Sequence, residues 1–221
     1  MDTVRADFDR LAEFDSKGWN HNTHYHDFLL RQMPAHVESA LDIGCGTGCF
    51  ARLLASRADH VVGIDLSPNM IRLAQERSTQ FPNIRYDVAD VLATDLPPEA
   101  FDCIASIATL HHVPLETALL KAKDALKPGG VLLVLDLFQD EGIGDLMNSV
   151  LAVPVNCLLT RIKCGRQKTS PQAQAAWDQH GEHDTYLTLR EVRRIARPLL
   201  PGAIVRRHLL WRYSLVWQKP G

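Results

Sequence analysis

Short apolar runs alternate along the chain with segments whose apolar positions recur at helical spacing. Residues 39–43, 60–65, 83–88, 101–107 and 131–137 each read as a strand. Residues 47–57, 67–79 and 115–126 read as helices between them. Ser67 suits a helix N-cap, and Pro68 suits the first helical position, where its missing N–H costs nothing. Pro128-Gly129-Gly130 is expected to stop the third helix. Five alternations of this kind predict a parallel sheet with helices on both faces. Farther on, Thr188-Leu189-Arg190-Glu191 has the form of a capping box, opening a helix to about Arg197 that Pro198 and Pro201-Gly202 end. Residues 203–208 and 211–217 then read as two tightly joined strands, an antiparallel pair.

Two segments stand outside the alternation. Residues 1–36 are expected to be a helical cap and hold four of the ten histidines. Residues 138–187 separate the fifth strand from the capping box, and 50 residues without structure would be unusual in a compact domain. A helix over 143–163 and a looser stretch over 168–186 are expected, forming a lid inserted into a single domain that spans 1–221. The helix would turn an apolar wall (Leu146, Val150, Leu151, Val153, Val155, Leu158 and Leu159) towards an acceptor, with Arg161, Lys163, Arg166 and Lys168 following.

Composition changes this picture little. The 221 residues carry 24 basic and 26 acidic side chains, so no global charge favours nucleic acid or an anionic membrane. The distribution is uneven: residues 1–160 hold 12 basic and 22 acidic groups, net −10, and residues 161–221 hold 12 and 4, net +8. That asymmetry suits two complementary faces, a dimer contact, or a basic rim near an anionic substrate; no motif supports a nucleic-acid surface. Cys45, Cys49, Cys103, Cys157 and Cys164 are odd in number and fit no zinc spacing, so free thiols in a reducing cytoplasm are expected. No metal is implied. No apolar stretch reaches the roughly 20 residues that a membrane span needs.

The strongest chemical signal is Leu41-Asp42-Ile43-Gly44-Cys45-Gly46-Thr47-Gly48, between a strand and a helix. Glycines at alternate positions let the backbone turn sharply and approach a ligand closely. In an open α/β sheet such a turn lies where ligands bind, at the carboxyl ends of the strands. The spacing is not that of a dinucleotide fingerprint, because Cys49 stands where the third glycine would be. Asp42 would repel a phosphate, and no Gly-Lys-Ser/Thr follows. The turn fits a ligand without phosphates.

This run resembles motif I of class I S-adenosylmethionine-dependent methyltransferases, in the broad small-molecule group called type 11. Asp65 at the end of the second strand, Asp90-Val91 after the third, residues 101–112 around the fourth and Leu126-Lys127-Pro128-Gly129-Gly130 before the fifth match further motifs in order, and the likeness is strong over about 38–137. It implies a Rossmann-like sheet of seven strands in the order 3-2-1-4-5-7-6, mostly parallel with the last strand antiparallel. It implies S-adenosyl-L-methionine as cofactor and S-adenosyl-L-homocysteine as product. Asp42, Gly44, Gly46 and Gly48 would surround it, Asp65 would take its ribose, Asp90 and Val91 its adenine, and Leu66, Met70 and Ile107 would be pocket walls. In similar enzymes an N-terminal segment folds over the cofactor, which assigns Trp19 and Tyr25 to that contact.

The implied reaction is in-line transfer of a methyl group to an oxygen or nitrogen of a small molecule, by a monomer or homodimer. A protonated acceptor also needs a base, and histidine titrates near neutrality. His111 and His112 follow the fourth strand, and His24 and His26 lie in the N-terminal segment; at most one of the latter pair can face a pocket from a helix. Residues 106–109 lack the Asn/Asp-Pro-Pro-Tyr/Phe run of enzymes that methylate the amino nitrogens of bases. Two rivals stand beside this reading: an RNA or protein methyltransferase using the basic C-terminal third, and an inactive subunit that binds the cofactor.

Overall fold

Alternate residues of the central strands enter two different cores. Leu41 and Ile43 join one apolar cluster while Ala40 joins the other; Leu132 and Val134 separate in the same way from Val131, Leu133 and Leu135. Period-two alternation with both sets buried means a sheet covered on both faces. The computed structural model describes residues 2–14, 19–141, 143–163, 170–181 and 184–221, with backbone alone along 143–149 and at 151.

In chain order the elements are α1 (Asp2–Leu11), α2 (His26–Leu30), β1 (Val37–Ile43), α3 (Cys49–Leu54), β2 (Ala58–Asp65), α4 (Pro68–Arg77), β3 (Ile84–Val88) and β4 (Phe101–Ile107). There follow α5 (Leu115–Ala125), β5 (Leu126–Leu137), α6 (Ile143–Lys163), α7 (Pro171–Gly181), α8 (Leu189–Leu199), β6 (Ile204–Arg207) and β7 (Arg212–Gln218). The strand order is β3-β2-β1-β4-β5-β7-β6, as expected. The first five strands are parallel, and β7 runs antiparallel to both of its neighbours. The buried faces of α5 and α8 fill one core, and those of α2 and α3 the other, where Ile71 and Ala74 of α4 join them. The chain leaves β1 in one direction for β2 and β3, then returns to its other side for β4. That reversal fixes the crevice at the carboxyl ends of β1 and β4.

Several boundaries differ from the sequence reading. β5 begins at Leu126, not 131, so Pro128-Gly129-Gly130 lies within the strand. Leu126 is fully buried and extended, and a register shift between Phe101 and Cys103 absorbs the irregular residues. α3 is shorter than expected, and Pro198 sits inside the last turn of α8 instead of ending it. The stretch expected to be loose contains α7. α6 spans the expected residues, but Val150, Val153 and Leu158 are exposed, so they do not form the expected inner wall. Leu159 packs against the second core. The side chains of Leu146 and Leu151, and Cys164, Arg166 and Lys168, lie outside the described residues. Among the described residues no helix is long and apolar enough to cross a membrane.

The capping box forms: Thr188 Oγ1 accepts from the Glu191 amide at 3.3 Å, and Glu191 Oε2 accepts from the Thr188 amide at 2.9 Å. Thr188→Ala removes one half of it. A loss of about 1 kcal/mol in urea unfolding is expected. A loss indistinguishable from zero would show that α8 is held by packing alone.

Candidate functional site

β1 delivers the chain into the turn Gly44–Gly48, where Gly44 and Gly46 adopt φ of +69° and +51°. A Cβ on Gly44 would lie 2.1 Å from Thr109 Oγ1, so only glycine fits there. A Cβ on Gly46 would meet nothing within 4 Å: its conformation needs glycine and the space beside it is open. Asp65, closing β2, accepts the Gly46 amide on Oδ2 at 2.8 Å and the Ser67 amide on Oδ1 at 2.9 Å. One carboxylate therefore ties the turn after β1 to the N-terminus of α4. Burial pushes its pKa up, and the Ser67 and Gly46 amides oppose that shift.

Beside this turn lies a cavity of about 1360 Å³. Ligand pockets commonly span roughly 300–1,000 Å³, so it has room for two small molecules. Gly44, Gly46, Asp65, Leu66, Met70, Asp90, Val91 and Ile107 line it, as do Trp19, His111 and His112. α1 contributes Phe8, and α6 and α7 contribute Asn156, Lys163 and Trp177. His21 also lines it and bonds Asn156 through Nε2 at 2.8 Å, linking the N-terminal segment to α6.

Five assigned residues lie elsewhere. Asp42 is 1% exposed and projects into the second core behind the turn. Among the described residues no donor meets its carboxylate in good hydrogen-bond geometry. Burial, then the Asp65 charge, push its pKa up to about 7; the Ala51 amide acts weakly the other way. Gly48 is absent from the cavity lining, and a Cβ there would meet the Tyr86 hydroxyl. Tyr25 donates its O–H to the Leu209 carbonyl at 2.6 Å and so fastens the N-terminal segment to the β6–β7 connection, away from the lining. His26 is buried against Phe50, and burial pulls its pKa down to about 4. His24 is exposed, so neither histidine of that pair faces the cavity.

The far wall holds groups that the sequence reading missed. Ala108 leaves β4 at φ +51°, a strained turn for alanine, its amide donating to the Leu135 carbonyl at 2.7 Å. The following 3-10 turn brings His111 onto Asp136, with Nδ1 2.6 Å from Oδ1 and the His111 amide 3.0 Å from Oδ2. His112 Nδ1 lies 3.2 Å from Asp184 Oδ1, and Tyr186 donates its O–H to Asp184 Oδ2 at 2.7 Å. His180 closes the cluster from α7, its Nε2 3.8 Å from Asp184 Oδ1. Burial pushes the Asp184 pKa up, but His112, Tyr186 and His180 outweigh it and hold the carboxyl at about 2. Burial pulls the His112 pKa down despite Asp184. Arg212 completes the wall, buried at the start of β7 after two consecutive left-handed residues, Leu210 and Trp211; its Nε donates to Asn22 Oδ1 at 2.7 Å. No spacing links these residues, since the 71 positions between His112 and Asp184 are closed only by the fold.

A family model described as a methyltransferase domain matches residues 41–134. An uncharacterized methyltransferase of Mycobacterium tuberculosis is 32% identical over 209 residues, covering 91% of this chain and 98% of that protein. A ubiquinone biosynthesis O-methyltransferase of Xylella fastidiosa is 32% identical over 145 residues, 59% of this chain and 58% of that protein. Among solved structures, the N-methyltransferase NodS from Bradyrhizobium japonicum, in complex with S-adenosyl-L-homocysteine, superposes with a TM-score of 0.68 at 18% identity over 99% of both chains. With one relative matched along almost its whole length, and the domain model spanning the strands that build the cavity, this chain belongs to the methyltransferase family.

Proposed function

We propose that this chain transfers the methyl group of S-adenosyl-L-methionine to an oxygen or nitrogen of a small-molecule acceptor. One observation carries the reading: a single cavity joins the glycine turn and its carboxylates to an imidazole wall, with room for two ligands.

The residues around the turn fit this cofactor. Asp65 and Asp90 line the cavity beside the turn with carboxylates, and behind the turn lies the buried Asp42, which has no matched donor among the described residues. Such surroundings suit a ligand bearing sulfonium and ammonium charges and disfavour a pyrophosphate. Each oxygen of Asp65 spends one lone pair on a backbone amide and keeps another for a ribose hydroxyl. Gly46 leaves open space for close backbone approach. Asp90 and Val91 are assigned to the adenine, and Leu66, Met70, Ile107 and Trp19 to the apolar walls.

When bound, the cofactor supplies a methyl group already activated on sulfur. The protein's task is to orient the acceptor and to exclude water; orientation alone can contribute ~7–11 kcal/mol. The N-terminal segment together with α6 and α7 is proposed as the lid that does the excluding. His111 and His112 offer the acceptor's O–H or N–H a polar wall that can receive its proton. Of the described basic residues after position 160, only Lys163 and Arg212 line the cavity, while the arginines of α8 and β6 do not. This supports a small acceptor over RNA or protein.

Calorimetric titration with S-adenosylmethionine and S-adenosylhomocysteine tests the reading. Each is expected to bind once per chain, and Asp65→Asn to weaken both by roughly 10- to 150-fold, from the ~1.5–3 kcal/mol of a hydrogen bond to a charged group. Unchanged affinity in the variant, or equally tight binding of a nicotinamide dinucleotide, would contradict it.

A second expectation concerns Asp42 in the ligand-free protein. A carboxyl whose folded pKa is raised favours folding in its neutral form, so its stability contribution is lost as pH rises from about 4 through about 7. Asp42→Asn removes that loss. The gain in unfolding free energy over wild type is expected to grow across this range to a few kcal/mol, then level off. A gain that does not vary with pH, followed by urea denaturation, would refute the assignment.

A further inference from the structure

We propose that His111, His112 and Asp184 form a binding site for one divalent transition-metal ion, of which Zn²⁺ is the representative, in the far wall of the cavity.

One ligand atom from each of the three residues lies within 4.8 Å of the others. The closest pair, His112 Nδ1 and Asp184 Oδ1, is 3.2 Å apart, and His111 Nε2 is 3.9 Å from Asp184 Oδ2. Ligands at ~2.0–2.2 Å from a shared ion stand roughly 3–3.5 Å from each other, so small side-chain shifts close the site. Two imidazoles and one carboxylate are the donor set of Zn²⁺, Fe²⁺ and their neighbours, not of Mg²⁺ or Ca²⁺.

The surroundings are those of a ligand set held in advance. His111 is oriented by Asp136 through Nδ1, which leaves Nε2 for a ligand; a carboxylate behind a histidine is the usual outer partner of a metal-bound imidazole. Tyr186 orients Asp184 by donating its O–H to Oδ2, which leaves Oδ1 towards His112. The side chains of all three proposed ligands are only 6% exposed. Three carboxylates (Asp7, Asp136 and Asp184) meet three histidines (His111, His112 and His180) in this wall, a density of buried acid that a dication would offset. Trp177 and Phe8 pack on His180, and Phe8 also packs on His112, which gives the cluster an apolar jacket.

The three residues also line the cavity, so an ion held by them keeps coordination positions towards it. An acceptor hydroxyl or carboxylate could occupy one, and a bound hydroxyl would lose its proton more readily than in water. That use rests on the methyl-transfer reading; the ion site itself does not.

The test uses untagged full-length protein stripped with a chelator and titrated with Zn²⁺ by calorimetry and with Co²⁺ by visible absorption. One ion per chain at micromolar Kd or tighter is expected, with d–d bands on cobalt binding. His112→Ala and Asp184→Ala should each weaken Zn²⁺ at least 100-fold, and Asp136→Asn about 10- to 100-fold. Melting curves and S-adenosylhomocysteine affinity, measured on the same samples, report whether each variant folds and keeps the other half of the cavity. Wild-type protein that binds neither ion below millimolar concentration overturns the proposal. So does one-ion binding that folded His112→Ala and Asp184→Ala retain in full. Failure of the cofactor to bind while Zn²⁺ binds would instead count against the methyl-transfer reading alone.

Discussion

The carboxylate of Asp65 holds two elements that the chain separates by some twenty residues. It takes the amide of Gly46 from the turn after β1 and the amide of Ser67 from the start of α4. Its burial is costly for a charge, and the amides of Ser67, Gly46 and Leu66 offset part of that cost. The side of the cavity next to the glycine turn depends on that geometry. The glycine turn presents its open side, α4 brings Met70 to the wall, and Asp65 itself lines the cavity.

The opposite wall is built on different principles. It relies on long-range contacts between the 3-10 turn after β4, the end of β5 and the residues beyond α7. Backbone strain at Ala108 and at the Leu210-Trp211 turn is concentrated there, where His111 and Arg212 enter the cavity. Strain of this kind persists only where surrounding structure overdetermines it. The buried Asp136, which receives both the amide and the ring of His111, is one such determinant. One wall of the cavity is thus shaped by backbone, and the other is furnished by side-chain chemistry.

The strands and the glycine turn beside the cavity were legible because they rest on local signals, and the strand order was legible through the family resemblance that the turn and its following motifs carry. Short apolar runs mark β1 to β5, and the turn needs glycine at Gly44 for steric reasons and at Gly46 for conformational ones. Local signals misled where burial overrides them. Pro128-Gly129-Gly130 reads as a break, yet Leu126 is drawn into the core and starts the strand early. Val150, Val153 and Leu158 are apolar, but α6 turns them outward. Tyr25 has the right chemistry for a cofactor contact and spends its hydroxyl on Leu209 instead. His180, Asp184 and Tyr186 had no legible signal, because they reach His111 and His112 only through long-range contacts of the folded chain.

A crystal structure of the chain grown with S-adenosylhomocysteine tests the central claim most directly. Both ribose hydroxyls are expected within hydrogen-bond distance of the Asp65 carboxylate, with the amino-acid portion beside Gly44 and Gly46. A nucleoside seated elsewhere in the cavity, with Asp65 touching only the amides of Gly46 and Ser67, would contradict it.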